Sequence, residues 1–363
     1  MTAVDSRRKP RARDLGIPFE GIPGPQNAIT DVAGVAVGHA TVAPPPDTPE
    51  ERRHWVRTGV TAILPRGQSD THPAFAGWFS LNGNGELTGT TWIEESGSLD
   101  GPILSTNTHS VGVVRDATVE WARDHGLAAE RWALPVVGET WDGYLNDVWG
   151  FHVRKQHAID ALRAARPESP EEGNVGGGTG MMCYGFKGGI GSASRRLSDP
   201  GEYTVGTLVQ ANHGRREQLT VSGVPVGREI PQSRPDGRES GSILVFVATD
   251  APLLPHQLKR LARRCALGLA RSGSISGNGS GDLFLAFSTA NAEGGTTGKI
   301  RSVDMLANDS LDPIFEAVVQ STDEAIINAM VAADTMVGFH DHRAEALPHD
   351  RLVAILRRAG RIG

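Results

Sequence analysis

Residues 241–249 read Gly-Ser-Ile-Leu-Val-Phe-Val-Ala-Thr, and this stretch is the strongest guide to fold and chemistry in the chain. The continuous apolar run that follows Ser242 predicts a buried β-strand. Ser242 stands at the start of that strand, behind a glycine and a polar segment, where its hydroxyl could act as a nucleophile. If the chain were cut between Gly241 and Ser242, the new α-amino group would lie on the same residue as the hydroxyl and could serve as its general base.

The sequence around Ser242 offers no familiar base. It lacks a Gly-x-Ser-x-Gly elbow, and the nearest histidine, His256, falls within a predicted helix. Gly241 permits the backbone twist that a strained scissile bond needs. A free α-amine has an ordinary pKa of about 7.7–8.0, which suits a base near neutral pH. The simpler interpretation, a serine that merely begins a strand, is the one that these residues favour when taken alone.

Composition sets the outer limits on function. The 363 residues allow one large domain or two ordinary ones, and 39% apolar with 21% charged residues is typical of a soluble globular protein. The 45 glycines indicate many tight turns and close backbone contacts. A net charge of −6 argues against a general nucleic-acid-binding protein.

The cysteines and the apolar runs indicate the compartment. Cys183 and Cys265 are too few for a disulfide framework. The charged N-terminus lacks the apolar core of a signal peptide, and no apolar run approaches the roughly 18 residues of a membrane span. We therefore expect a cytoplasmic protein with neither a membrane nor a nucleic acid as partner.

Strands and helices are predicted to alternate along the chain. Strands are expected at 29–39 (with turns), 60–64, 103–108, 242–249 and 283–287, and helices at 117–125, 157–165, from Pro255 onward and from Asp312 to Ala332. The helix after Pro255 carries apolar residues at steps of three and four, with arginines mainly on its other side. Strands followed by helices that bury one face predict sheets covered by helices.

Several blocks along the chain, always in the same order, carry a family resemblance. They are residues 13–17 (Arg-Asp-Leu-Gly-Ile), 27–35 (Asn-Ala-Ile-Thr-Asp-Val-Ala-Gly-Val), 37–39 (Val-Gly-His), 56–66 (Val-Arg-Thr-Gly-Val-Thr-Ala-Ile-Leu-Pro-Arg), 138–147 (Gly-Glu-Thr-Trp-Asp-Gly-Tyr-Leu-Asn-Asp), 176–181 (Gly-Gly-Gly-Thr-Gly-Met), 241–243 (Gly-Ser-Ile), 251–254 (Ala-Pro-Leu-Leu) and 281–286 (Gly-Asp-Leu-Phe-Leu-Ala). The sequence resembles the DmpA-type aminopeptidases, the self-processing family of L-aminopeptidase/D-amidase-esterases and β-peptidyl aminopeptidases.

The resemblance implies an α/β (α+β) fold, a four-layer αββα sandwich similar to the N-terminal nucleophile hydrolases but with different connectivity. It implies a single domain over residues 1–363, self-processed by autocatalytic cleavage between Gly241 and Ser242 into an α chain (1–241) and a β chain (242–363). It further implies a homotetramer of processed protomers and a mechanism that needs no metal and no organic cofactor.

The resemblance also assigns roles around the nucleophile Ser242. Asn212 matches the asparagine that stabilises the oxyanion, and Ser280 and Asp282 match a serine and its acidic partner. Two residues apart on an extended segment, Ser280 and Asp282 share one face, so Asp282 would orient Ser280, and Ser280 would bond the nucleophile or its amine. Some relatives carry glutamate at this acidic position, and the shorter aspartate would withdraw the carboxylate. Without the resemblance, Asn212 and the Ser280–Asp282 pair would be interpreted as turn residues.

Glu139 matches the family carboxylate that binds the free amino group of the substrate, which an exo-acting peptidase must recognise. Without the resemblance it would be interpreted as a surface carboxylate. The family has an aromatic hydroxyl in the same stretch, and either Trp141 or Tyr144 stands in its place; Trp141 would lack the hydroxyl. The spacing of His340 and His342 could suit a metal, but their polar surroundings favour none.

The predicted function is therefore that of an N-terminal-serine aminopeptidase with amidase and esterase activity. It would release the N-terminal residue from short peptides, amino amides or esters through an aminoacyl-enzyme. One alternative is an acyltransferase similar to the ornithine acetyltransferases, which share the architecture but use threonine where Ser242 stands. Another is an unprocessed, non-catalytic scaffold. The choice between L-, D- and β-amino acids stays open.

Overall fold

A computed structural model describes residues 9–48, 50, 54–70, 72–126, 132–230, 241–292 and 300–363. Its strands are β1 (Ala36–Val42), β2 (Thr58–Leu64), β3 (Ala74–Gly83), β4 (Ser98–Leu99), β5 (Ile103–Asn107), β6 (Val136–Thr140), β7 (Met182–Cys183), β8 (Phe186–Lys187), β9 (Gly189–Leu197), β10 (Tyr203–Asn212), β11 (Ser242–Thr249), β12 (Gly281–Ser288), β13 (Met336–Val337) and β14 (Arg343–Ala344). Its helices are α1 (Thr90–Ser96), α2 (Val111–Asp124), α3 (Lys155–Ala164), α4 (Pro255–Arg271), α5 (Asp312–Val331) and α6 (His349–Arg358).

Two sheets form the centre of the fold. One has four strands in the order β1-β2-β5-β6, and the other has six in the order β4-β3-β12-β11-β10-β9. Within the larger sheet, β11 runs antiparallel to β10 and parallel to β12. This register sets Ser242 directly opposite Asn212 on one side, while on the other Ile243 lies opposite Asp282. Because parallel strands begin at the same edge, Ser242 and the segment leading into β12 meet there.

Apolar side chains divide the molecule into layers. The two sheets pack face to face through residues such as Ile103, Leu244 and Phe287. Helices α2 and α3 cover the outer face of the four-stranded sheet, and α4 and α5 cover the outer face of the six-stranded sheet. Helices α2, α3 and α4 each bury one apolar face, as predicted, whereas α5 is buried on nearly every side from Ile314 to Val331, so the expectation of a single buried face is wrong for α5. The predicted αββα sandwich of class α/β (α+β) is confirmed.

Several predicted elements have the expected bounds. Strand β11 spans the predicted residues 242–249, and α4 and α5 begin at Pro255 and Asp312 as expected. The prediction for 29–39 is partly wrong, since residues 29–31 form a 3-10 turn and the strand β1 starts only at Ala36. Across the part of the chain that is described, no helix combines the length and apolar character that crossing a membrane requires.

Candidate active site

Ser242 is the first residue of β11 and is 5% exposed. Its Oγ accepts a hydrogen bond of 3.1 Å from the backbone N–H of Gly281, the first residue of the parallel neighbour β12. A side chain at Gly281 would clash, because its Cβ would lie 2.3 Å from the backbone oxygen of Asn84. The hydroxyl is therefore held by the start of one strand, which is itself packed against the turn after β3.

Ser280 and Asp282 are both buried beside that strand start. Ser280 Oγ donates a hydrogen bond of 2.6 Å to Asp282 Oδ1, so the shorter acid does reach its serine. Burial raises the pKa of Asp282, and the hydrogen bond from Ser280 opposes that shift most strongly. The Ser280 proton is therefore directed at Asp282, and the donor to Ser242 Oγ is the backbone N–H of Gly281.

Asn212 ends β10, directly opposite Ser242, and is buried. Its Oδ1 accepts a hydrogen bond of 2.8 Å from the backbone N–H of Met182. Its Nδ2 donates a bond of 2.8 Å to the backbone oxygen of Trp141. An amide nitrogen carries two hydrogens, so these contacts fix the plane of the carboxamide and account for one of its two donors.

Glu139 lies in β6, at the edge of the smaller sheet, and is buried. Its Oε1 accepts a 3.0 Å hydrogen bond from the backbone N–H of Glu86, and its Oε2 accepts a short one from the Thr108 hydroxyl. Burial raises the pKa of Glu139, and the Thr108 bond opposes this. A Cβ on Gly85 would lie 3.0 Å from Glu139 Oε1 and 3.5 Å from the Cα of Gly281. Gly85 therefore lies between the carboxylate and Gly281, the first residue of β12, whose N–H bonds Ser242 Oγ.

The two candidate aromatic residues lie differently. Trp141 is 37% exposed, and its backbone oxygen bonds Asn212. Tyr144 stacks on the ring of His342 at 4.4 Å between centroids, and His342 Nδ1 donates a 2.9 Å hydrogen bond to the backbone oxygen of Tyr144. The structure thus brings the Trp141 backbone to Asn212 and pairs Tyr144 with the histidine segment that was considered for a metal.

Asp142 anchors the loop that carries both aromatics. It is fully buried and accepts hydrogen bonds of 3.0 Å from Asn146 Nδ2 and 3.1 Å from Asn107 Nδ2. Burial raises the pKa of Asp142 to about 6. Trp141 therefore connects β6 to a loop that is held in place by the buried hydrogen bonds of Asp142.

A cavity of about 380 Å³ opens beside Glu139. Its walls include Gly85, Glu86, Trp78 and Leu283, so it adjoins the residues that contact the Glu139 carboxylate. Size alone does not mark the site: a cavity of about 600 Å³ in the outer helical layer, lined partly by Arg271, contains none of the predicted site residues.

Three groups at this site were missed by the sequence interpretation: the N–H of Gly281, the hydroxyl of Thr108 and the turn at Gly85 and Glu86. The alternation Asn-Gly-Asn-Gly at 82–85 is a turn signal that could have drawn attention to that turn. The other two act through long-range contacts, for which no local pattern exists.

Known proteins resemble this chain in sequence and in fold. The family model for peptidase family S58 matches residues 27–344. The "Beta-peptidyl aminopeptidase BapA" of Sphingosinicella microcystinivorans is 51% identical over 379 aligned positions, which cover 100% of this chain and 96% of that protein.

Two solved structures resemble the whole chain. The L-aminopeptidase D-Ala-esterase/amidase of Ochrobactrum anthropi, described as a prototype for the serine aminopeptidases and a new variant of the Ntn hydrolase fold, superposes with a TM-score of 0.92 at 47% identity. That match covers 98% of this chain and 100% of the other. A β-aminopeptidase from Burkholderia sp. gives a TM-score of 0.88 at 48% identity, covering 97% and 99%.

Proposed function

Because the chain belongs to peptidase family S58, we propose that it is a self-processing serine aminopeptidase that releases the N-terminal residue from short peptides, amino amides or esters. The observation that carries the proposal is the meeting of three groups at one edge of the sandwich. The Ser242 hydroxyl, the Asn212 carboxamide and the buried Glu139 carboxylate converge there from different strands.

Self-processing is the first proposed reaction, giving an α chain (1–241) and a β chain (242–363). Ser242 Oγ attacks the carbonyl carbon of Gly241, the peptide C–N bond breaks, and the Ser242 nitrogen leaves as an amine. Water then hydrolyses the resulting ester, which frees the hydroxyl and leaves a carboxylate on Gly241. The tight packing of Gly241, where a Cβ would lie 1.9 Å from the Asn212 backbone oxygen, supports a scissile bond held close to Asn212.

In the proposed turnover, the α-amine of Ser242 takes the proton from its own hydroxyl as Oγ attacks the substrate carbonyl. The Gly281 N–H orients that oxygen, and Ser280, itself fixed by Asp282, accepts a hydrogen bond from the amine. The second N–H of the Asn212 carboxamide stabilises the tetrahedral oxyanion. When the intermediate collapses, the C–N or C–O bond of the substrate breaks, and the Ser242 ammonium gives its proton to the departing amine or alcohol. Water then hydrolyses the aminoacyl ester, which releases the amino acid and restores the Ser242 hydroxyl.

Glu139 is proposed to bind the substrate ammonium, which limits the reaction to the first residue of a chain. Its two oxygens are already held by the Glu86 N–H and by Thr108, so the carboxylate meets the ammonium in a fixed orientation. The neighbouring cavity of about 380 Å³ would receive the side chain of the released residue. Relatives named β-peptidyl aminopeptidases make β-amino residues a substrate class to test here.

The deciding experiment compares the wild-type protein with Ser242→Ala and with Ser96→Ala, an exposed serine on α1 as control. We expect wild type and the control to give two bands on a denaturing gel, with the smaller chain starting at Ser242, and to hydrolyse aminoacyl amides. Ser242→Ala should stay one chain and be inactive. A second chain that begins elsewhere, or activity retained by Ser242→Ala, would disprove the proposal.

Assays with an added amine acceptor separate hydrolysis from the acyltransferase alternative. We expect free amino acid as the main product, whereas transfer far above hydrolysis would favour an acyltransferase.

We also propose a cytoplasmic homotetramer of processed protomers, an expectation that comes from the family resemblance. Light scattering of the purified protein measures that assembly, and a monomeric mass would contradict it.

A further inference from the structure

Lys187 is a buried cation that the proposed reaction does not use. It ends the short strand β8 and is 0% exposed. Its Nζ donates hydrogen bonds to three backbone carbonyls, those of Met181 at 2.8 Å, Gly188 at 2.9 Å and Gly178 at 3.2 Å. An ammonium has three N–H donors, so all of them are directed at backbone carbonyls, two just before β7 and one just after β8.

One of those carbonyls leads directly to the active site. The Met181 carbonyl and the Met182 N–H belong to the same peptide group, and that N–H donates a 2.8 Å hydrogen bond to Asn212 Oδ1. The Met181 oxygen also accepts a 2.9 Å bond from the N–H of Gly188. Two donors therefore converge on the carbonyl end of a peptide whose other end bonds Asn212.

Hydrogen bonds in such a chain strengthen one another. A cation at a peptide oxygen draws electron density towards it and makes the N–H of that peptide a better donor. A better donor at Asn212 Oδ1 does the same to the carboxamide, so its Nδ2 hydrogens become better donors too. The effect reaches the place where the oxyanion develops.

We propose that Lys187 is a positioning residue of the oxyanion site: through the Met181–Met182 peptide it fixes and polarises the Asn212 carboxamide. The inference rests on the proposed role of Asn212. It adds a group that is outside hydrogen-bond contact with Asn212 itself and that acts on the transition state rather than on substrate binding.

The charge state of Lys187 is poised to change near neutral pH. Burial lowers the pKa of Lys187 to about 7, and the groups that act on it are Lys9, Asp334 and Cys183. Lys9 and Asp334 pair with each other at 2.6 Å. Because the protonated amine polarises the carbonyl more strongly, the contribution of Lys187 should weaken as pH rises through this value.

The test uses Lys187→Met, Lys187→Gln, Asn212→Ala and the Lys187→Gln/Asn212→Ala double variant, with rates normalised to the processed fraction on a denaturing gel. Lys155→Gln, an exposed lysine on α3 paired with Glu120, is the matched control. We expect Asn212→Ala to lower kcat by about 10²–10³-fold. Lys187→Gln should lower kcat by roughly tenfold with KM nearly unchanged, and Lys187→Met by more, because Met donates no hydrogen bond.

The double variant identifies the route of the effect. If Lys187 acts through Asn212, Lys187→Gln should cost little further kcat once Asn212 is alanine, whereas a full additional tenfold loss would overturn the inference. Wild-type kcat retained by Lys187→Gln would overturn it as well. Wild-type kcat retained by Asn212→Ala would instead remove the proposed oxyanion role on which the inference depends.

If neither Lys187 variant folds, the native lysine can still be tested. The ratio of kcat for wild type to kcat for Asn212→Ala is measured across pH, because the Ser242 amine and Glu139 titrate in both proteins and cancel. We expect this ratio to fall as pH rises through about 7. A ratio that is constant with pH would overturn the inference.

Discussion

The buried carboxylate of Glu139 should contribute to how the enzyme responds to acid. Burial raises its pKa above the ordinary value of 4.5, and only the ionised form attracts a substrate ammonium. As pH falls through this raised pKa the binding group becomes neutral, so kcat/KM should fall at a higher pH than for a solvent-exposed glutamate. Glu139→Gln should lower kcat/KM by at least tenfold and remove the part of the acid limb that comes from this carboxylate, leaving the part that comes from the Ser242 amine, as measured by pH-rate profiles on an aminoacyl amide.

The control for that profile is Glu95→Gln on α1, at an exposed glutamate, which should keep the wild-type curve. An unchanged acid limb in Glu139→Gln would assign the titration to another group.

Single residues show which parts of the candidate site could be predicted from the sequence. The resemblance named Ser242, Asn212 and Glu139, but the Gly281 N–H that holds the hydroxyl depends on which strand lies beside β11, and no local pattern encodes that.

At the scale of elements, the start of β12 holds the hydroxyl of Ser242. A Cβ on Gly281 would lie 2.3 Å from the backbone oxygen of Asn84, which cannot swing aside as a side chain can. Gly281→Ala should therefore displace the strand start and its N–H from Ser242 Oγ, and lower both self-processing and kcat by at least tenfold. Gly112→Ala on α2, where a Cβ meets nothing within 4 Å, is the matched control.

That control should keep full activity, and its unfolding free energy should change by at most about 1 kcal/mol, because alanine favours a helix more than glycine does. Equal losses in both variants would contradict a special role for Gly281. Rates come from time courses on denaturing gels and from amide hydrolysis, and stability comes from urea unfolding followed by circular dichroism.

Strands and helices could be predicted from the sequence where their apolar residues form a pattern within one short stretch of the chain. The run in β11, the one-sided helix α4 and the apolar helix α5 were predicted because each carries a continuous or periodic set of apolar residues. Strand β9 was not, since it contains Ser192 and Arg195 and lacks such a run. These polar residues are buried because distant partners satisfy them: Ser192 Oγ donates to the Thr207 oxygen at 2.7 Å, and Arg195 pairs with Glu324 at 2.7 Å.

At the scale of the whole molecule, the strand order interleaves the two proposed chains. In the larger sheet, β11 and β12 follow the proposed cut, and they lie between β3 and β10, which precede it. Separating the chains would break the ladders of β12 with β3 and of β11 with β10. We expect the processed chains to elute together in size-exclusion chromatography and to separate only in the urea range where circular dichroism reports unfolding.

Separate elution of the two chains in native buffer would contradict this interleaving. The control is the uncleaved Ser242→Ala protein, which should elute at the same volume, because the cut removes no strand pairing from β11. Strand order itself could not be read from the sequence, because it depends on which strands meet after long connections.

The turn at Gly85 and Glu86 has a consequence for how this protein can evolve. It borders the cavity and the Glu139 carboxylate, whereas the proposed nucleophile and its helpers Ser280 and Asp282 all come from residues 242–282. This turn is thus encoded apart from Ser242, Ser280 and Asp282, and also apart from Asn212, the proposed oxyanion group. Mutation of Glu86 or Thr88, which line the cavity, can therefore change which residue is released while the residues proposed for bond cleavage stay unaltered.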